Sequence, residues 1–340
     1  MPRILYWLGI GAAVAAISGL MLSLHHHGDQ VYDDALNQAP LPPVQVETYD
    51  EAESIVTEIV AKEGARPALD MLRRIAEGNT SLAGECHGLA HIIGHDALGK
   101  YGFEEALTFE DDICGSGYLH GVIESHFAKT DEEDVPALFA NTCAPQSGKC
   151  FHGLGHGVMD VYDNDIDRSL ALCHSLTQIF QQIQCAEGVF MEHFASDGTG
   201  HPSPLLTPDD PYQACRTRRD ADRGVCAFYA PRYFLRLHPG AYDDALRWCD
   251  TIDVDSRPAC LKGVGSAAMK VHVAEPKVAI AACATLEGED YTLCMEGLVS
   301  YRIVHFASTQ AGREFCRLLP HDDERACERI SEQSEAFYGE

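Results

Sequence analysis

Histidines recur in a regular phrase between residues 86 and 160 of the chain. In each phrase a His-Gly pair is followed, four residues after the His, by a second His or a Glu. The three phrases consist of His87 and His91, His120 and Glu124, and His152 and His156. Four residues make about one helical turn, so the two members of each phrase share a helix face. Imidazole and carboxylate groups are ligands for iron, copper, zinc and manganese. The phrases therefore predict a transition-metal site.

The phrases also have a nearly constant period. Their first histidines are 33 and then 32 residues apart, a period typical of helical repeat proteins. Three neighbouring repeats would then present five histidines and one glutamate to one space. Six donors suit one octahedral ion, or two ions with open positions, better than one tetrahedral zinc site. Open positions would allow the metal to activate water or to take part in redox chemistry.

The histidines belong to the first three units only. In the later units the same positions hold other residues, among them Glu187, Lys262 and Glu296, which we expect to be solvated or to cap helices. A purely structural histidine would be expected in every unit or in none. A buried polar network without metal, or a haem or another ligand, remains an alternative to a metal site.

Four further polar residues are candidates for hydrogen bonds that orient the ligands. They are His95, His126, Asp160 and His193. Two of them, His126 and His193, precede a Phe in similar local phrases. For each of the four, an ordinary structural role remains the alternative.

The 14 cysteines have the spacing expected of disulfides that join, or staple, consecutive helices. Five pairs are separated by 10 or 11 residues: Cys173 with Cys185, Cys215 with Cys226, Cys249 with Cys260, Cys283 with Cys294, and Cys316 with Cys327. Cys143 and Cys150 form a shortened pair, and elimination leaves Cys86 with Cys114. Each staple would contribute on the order of 2–3 kcal/mol by restricting the unfolded chain.

Helical periodicity begins at Glu51 and nothing in the sequence indicates a sizeable sheet. We therefore predict an all-α fold of tandem helical hairpins with a 33–34 residue period, solenoid-like and stapled by disulfides. A glycine recurs three residues after the second cysteine of several pairs, at Gly153, Gly188, Gly263 and Gly297. Its recurrence predicts close helix packing or room for a ligand at that level.

The N-terminal segment predicts export. Ile4 to Leu24 are 21 uncharged, mostly apolar residues, enough to span a bilayer. We assign residues 1–24 to a membrane anchor, with a cleaved signal peptide as the alternative, and residues 25–50 to a flexible stalk. Residues 51–162 form the His-rich repeats and residues 163–340 the disulfide-stapled repeats. Disulfides fit the same periplasmic or extracellular location.

The net charge of −27 argues against nucleic acid and anionic membrane surfaces as partners. The resulting hypothesis is an exported, membrane-anchored metal-binding protein, either a redox enzyme or a hydrolase with a mononuclear or dinuclear centre. One alternative is a non-enzymatic scaffold that binds a protein partner on a concave repeat surface. Another is metal storage or delivery, aided by three consecutive histidines of the stalk, residues 25–27.

Overall fold

The computed structural model describes residues 42–144, 147–195, 203, 205–319 and 321–338. The predicted anchor, Ile4 to Leu24, and the stalk histidines 25–27 lie outside the described residues. The chain divides after Pro42, and the description concerns the unit Pro43–Glu340. No helix in the described ranges combines the length and the apolar composition needed to cross a membrane.

The predicted all-α class is confirmed for the described residues, which form sixteen helices and one isolated bridge between Thr207 and Asp210. The first eight helices are α1 (Tyr49–Lys62), α2 (Ala65–Gly78), α3 (Thr80–Tyr101), α4 (Phe103–Leu107), α5 (Ile113–Phe127), α6 (Val135–Thr142), α7 (Gly148–Val161) and α8 (Ile166–Ser175). The others are α9 (Ile179–Ala195), α10 (Asp220–Leu237), α11 (Tyr242–Cys249), α12 (Arg257–Val271), α13 (Pro276–Ala281), α14 (Gly288–Phe306), α15 (Thr309–Cys316) and α16 (His321–Tyr338).

All seven predicted cysteine pairings are confirmed as disulfides. In a typical case Cys249 is the last residue of α11 and Cys260 lies in the first turn of α12. Pro258 stands at the start of α12, where a missing backbone N–H costs no helical hydrogen bond. Each such disulfide fixes a shorter helix against the longer helix that follows it.

The longer helices form an inner layer. In chain order α3, α5, α7, α9, α10, α12 and α14 each pack against the next. Their backbones approach closely at the recurring glycines: a Cβ on Gly188 would lie 2.0 Å from the carbonyl oxygen of His152, and one on Gly297 would lie 1.9 Å from that of Lys262. The predicted close packing is thus confirmed at these positions.

The two ends of the inner layer meet. Helix α14 packs against α5, and α12 packs against α3. At this closure a Cβ on Gly84 would lie 2.6 Å from the carbonyl oxygen of Lys270, and His305 Nε2 lies 3.9 Å from Cys86 Sγ. The inner helices therefore surround a common interior. The solenoid-like repeat interpretation is not confirmed and stays a prediction.

The hydrophobic core lies between the inner helices and the shorter ones outside them. Near the N-terminus of this unit, Leu69 and Leu72 of α2 are fully buried in one apolar cluster with Leu89 and Ile93 of α3. The α2 sequence places its apolar residues on one face, as expected for a helix that covers a core. These apolar contacts hold α3 against the outer helix α2.

We expect His305 to make the closure sensitive to acid. Burial, followed by the charge of Arg302, lowers its pKa from 6.5 to about 4, and Tyr301 stacks on its ring. Between about pH 6.5 and 4 the unfolded chain therefore binds more protons than the folded chain. The free energy of unfolding decreases as the pH is lowered through that window. His305→Gln should reduce the pH dependence of the free energy of unfolding by about 1 kcal/mol per pH unit in that window. Urea unfolding at several pH values, with disulfides intact, measures this slope.

The control is His238→Gln, which removes an exposed imidazole. It should leave the pH slope of the parent unchanged. Equal slopes for His305→Gln and the parent would contradict the assignment.

Candidate metal centre

Four imidazoles from three inner helices come together. They belong to His87 and His91 on α3, His120 on α5 and His156 on α7, and one nitrogen of each lies within 4.8 Å of those of the others. Zinc–nitrogen bonds are about 2.0–2.1 Å, so nitrogens around one ion lie about 3.3 Å apart. The 3.1 Å between Nε2 of His87 and Nε2 of His91 matches this spacing, and all four nitrogens lie within the 4.8 Å bound. The packing of α3 on α5 and of α5 on α7 positions these rings.

Three of the four rings are held through their Nδ1 atoms. The bonds run from His87 to the Cys114 carbonyl oxygen (2.6 Å), from His91 to Glu124 (2.9 Å) and from His156 to Glu192 (2.9 Å). Because each partner is an acceptor, we assign the proton of each neutral ring to Nδ1, which leaves a lone pair on Nε2. Acceptors on the far nitrogen orient metal-binding histidines in the same way.

This tautomer assignment creates a conflict that a cation resolves. Nε2 of His87 lies 3.1 Å from Nε2 of His91. With both protons on Nδ1, two lone pairs face each other at this distance and repel. A positive charge between the two nitrogens, a metal ion or a proton, turns the repulsion into attraction.

Several buried ring nitrogens lack hydrogen-bond partners among the described residues. In the cluster and beside it they are both nitrogens of His120 and the Nε2 atoms of His95, His152 and His156, and away from it Nε2 of His193 is another. The residues His120, His152 and His156 are almost inaccessible, at 3%, 8% and 2% exposure. Each unsatisfied buried group costs about 1–3 kcal/mol. An ion bound in the cluster would engage one nitrogen of His120 and Nε2 of His156.

The electrostatics favour neutral rings. Burial is the main cause that lowers the pKa of His87, His91, His120 and His152, and the neighbouring imidazoles lower the pKa of each further. Metals bind the unprotonated imidazole. The surroundings therefore hold these histidines in the form that binds a metal.

Glu124 lies beside the four-histidine cluster and not in it. Its Oε2 accepts from His91 and lies 3.3 Å from Nε2 of His95, and the three residues form a second group that could hold an ion. Burial acts to lower the pKa of His95, but Glu124, then Asp160 and Asp96, outweigh it and the pKa is raised. His95 thus lies beside Glu124, and the supporting role of His95 and Asp160 stays a prediction.

The other two predicted supporting residues make contacts of a different kind. His126 stacks on Phe103 with ring centroids 4.0 Å apart. His193 is fully buried, with Nδ1 2.5 Å from Ser203 Oγ, and burial lowers its pKa to about 3. Neither contact connects its histidine to the four-histidine cluster.

His152 adjoins the cluster without joining its tightest group. Its ring stacks on His120 at 4.8 Å, lies 5.1 Å from that of His156, and its Nδ1 is 3.8 Å from a carboxylate oxygen of Glu187. Burial raises the pKa of Glu187 to about 7, although Gln184 donates a hydrogen bond of 3.0 Å to it. The Glu187 side chain is 29% exposed, and its expected role as a solvated or capping residue stays a prediction.

Glu192 is a functional candidate that sequence reasoning missed. It receives the Nδ1 hydrogen bond of His156, as Glu124 receives that of His91. In both cases a histidine of one inner helix bonds to a glutamate of the next. The similar phrases around Glu124 and Glu192 contained this signal.

No protein-family model, curated protein or solved structure matches this chain. Its function is therefore argued from the geometry of the site.

Proposed function

We propose that the protein is an exported metalloprotein that binds one transition-metal ion with His87, His91, His120 and His156. The observation that carries the proposal is the convergence of these imidazoles, with two Nε2 atoms 3.1 Å apart and their Nδ1 atoms bonded to acceptors. A shared proton would satisfy one pair of nitrogens only. A metal ion would also engage one buried nitrogen of His120 and Nε2 of His156.

One ion fits the cluster better than two. The second group shares His91 with the first, and its 2.9 Å contact between His91 Nδ1 and Glu124 is an ordinary hydrogen bond. Four imidazoles suit zinc, copper or iron better than manganese, which prefers oxygen ligands. When bound, such an ion supplies Lewis acidity or, for copper and iron, redox chemistry.

We further propose that the centre is catalytic and hydrolytic. His152 and Glu187 lie next to the cluster and contribute no atom to its tightest group. Nε2 of His152 has no hydrogen-bond partner among the described residues, and its Nδ1 lies 3.8 Å from the half-buried carboxyl group of Glu187. Together they can take up and deliver protons within reach of a ligand at the metal. A storage site would need no such pair.

The proposed location is the exported face of a membrane. Seven disulfides fit an oxidising compartment, and Ile4 to Leu24 would supply the anchor. We also propose that the stapled hairpins are related repeats whose array closes on itself. The net charge of −27 continues to favour partners other than nucleic acid.

Elemental analysis of the full chain tests the metal proposal. Detergent-solubilised protein, purified without a His tag, is dialysed against zinc, copper or ferrous iron and then against metal-free buffer. We expect about one equivalent of one of these metals per chain, since four imidazoles complete one ligand set. Chelator should remove it without breaking disulfides. Less than about a tenth of an equivalent of every metal would overturn the proposal.

A further inference from the structure

The inner helices that carry no histidine cluster bring cationic and hydroxyl groups to the interior. Arg232 of α10 stands at the position of its unit that His91 and His156 occupy in theirs. Lys270 lies near the end of α12, where that helix packs on α3, and Tyr301 lies in the second half of α14. Each of the three side chains is partly accessible.

The charge of Arg232 reaches groups on four other inner helices. It lowers the pKa of His152 on α7 and of Lys270 on α12, and it opposes the rise in the pKa of Glu187 on α9 and of Tyr301 on α14. In all four cases burial is the larger cause. The direction of the Arg232 side chain follows from its register: it occupies the position of His91 and His156, whose ring nitrogens converge between the inner helices, and α10 packs on α12, which carries Lys270.

Arg232 has no carboxylate partner among the described ion pairs. Its Nε is buried without a hydrogen-bond partner among the described residues, and its guanidinium carbon lies 4.7 Å from the centre of the Tyr229 ring. Lys270 Nζ lies 3.9 Å from a carboxylate oxygen of Glu85, whose side chain is 56% exposed. Other basic groups have close partners, for example Arg168 with Glu132 at 2.9 Å.

This pair of cations is unusual in a chain with 52 acidic and 25 basic residues. Carboxylates are abundant, yet Arg232 has none within ion-pair distance among the described residues. A guanidinium whose Nε is buried without a hydrogen-bond partner costs free energy unless an anion joins it. The missing partner is then a bound molecule.

We propose that Arg232 and Lys270 bind the carboxylate or phosphate group of a small anionic substrate in the interior, facing the histidine cluster. A guanidinium binds such oxyanions through two parallel hydrogen bonds, and the Tyr301 hydroxyl is a further donor. The inference names the substrate class of the proposed metal centre and rests on the proposed function in that respect. Anion binding itself can be tested without the metal.

The test is calorimetric titration of the full chain with inorganic phosphate and, separately, with succinate. Each titration is run on zinc-loaded and chelator-treated protein at constant ionic strength. We expect at least one of the two anions to bind. Arg232→Gln and Lys270→Gln should each weaken that binding by about tenfold or more, the size of a lost charged hydrogen bond. The preferred anion distinguishes a phosphate from a carboxylate substrate.

The matched control is Lys262→Gln, which removes one positive charge from α12. Because Lys262 already pairs with Glu296, anion affinity should change less than about twofold. Equal weakening by Lys262→Gln and Arg232→Gln would show a general field effect and overturn the assignment. So would the failure of both anions to bind a folded parent protein.

The metal content of each variant separates the two proposals. Arg232→Gln should retain the metal of the parent. Anion binding that depends on Arg232 in a protein without metal affinity would support the anion site and overturn the metal centre. Metal binding with no binding of either anion would support the metal centre and overturn the anion site.

Discussion

Replacing His120 and His156 together with leucine should abolish metal binding while the metal-free protein keeps its stability. Both rings are buried, and the variant removes two of the four converging imidazoles. Losing two ligands should raise the dissociation constant by more than about a hundredfold, beyond what the loss of one orienting partner costs. The double variant should therefore stay metal-free under conditions that load the parent.

The stability of the same variant gives an independent readout. Buried nitrogens without partners destabilise the metal-free protein, so apolar side chains of similar size should change its free energy of unfolding by less than about 1 kcal/mol or increase it. Metal at a hundred times its dissociation constant should stabilise the parent by about 2.7 kcal/mol and the variant hardly at all. Urea unfolding with and without zinc measures both quantities.

Two further variants should show an intermediate loss of metal affinity and no loss, respectively. Glu192→Gln weakens the acceptor that holds His156 and should reduce metal affinity by about 10–100-fold. His126→Leu is the matched control, since His126 stacks on Phe103 away from the cluster. It should load metal like the parent. A comparable loss of metal in His126→Leu would mean that the double variant acts through folding and not through ligation.

The sequence was sufficient to predict the parts of this fold that are periodic and local. Cys249 and Cys260 are joined across one short turn, so their spacing alone indicated the disulfide. The in-register phrases brought His87, His120 and His156 together, because neighbouring inner helices align corresponding turns.

The parts that could not be predicted depend on contacts between distant segments. The packing of α14 against α5 closes the interior, and no spacing within one unit encodes it. Nor could the sequence show that Glu187 of α9 lies beside His152 of α7. The roles of the glutamates could not be predicted either. Whether Glu124 is a hydrogen-bond acceptor or a metal ligand depends on which nitrogen of His91 it contacts.

Replacing Gly297 with alanine should destabilise the protein by about 3 kcal/mol or more, although alanine is the better helix former. The new Cβ would lie 1.9 Å from the carbonyl oxygen of Lys262 and 2.8 Å from the backbone nitrogen of Ser266. These are backbone atoms of α12, which cannot rotate away as a side chain can. Helices α12 and α14 would have to separate, with the loss of the apolar contacts between them.

Gly224→Ala is the matched control, since Gly224 lies in α10 and its added Cβ meets nothing within 4 Å. It should stabilise the protein by about 0.5–1 kcal/mol through helix propensity alone. Urea unfolding of metal-free protein with intact disulfides compares the two variants. Similar effects of the two substitutions would contradict the close approach of α12 and α14.

The metal affinity of a folded Gly297→Ala protein tests whether the packing of the inner helices positions the metal ligands. Gly297 contributes nothing to the histidine cluster, but it sets the position of α14, which packs against the α5 helix that carries His120. If the closed inner layer positions the ligands, separating α12 from α14 should weaken zinc binding as well as stability. Unchanged zinc affinity in the folded variant would show instead that α3, α5 and α7 suffice to build the centre.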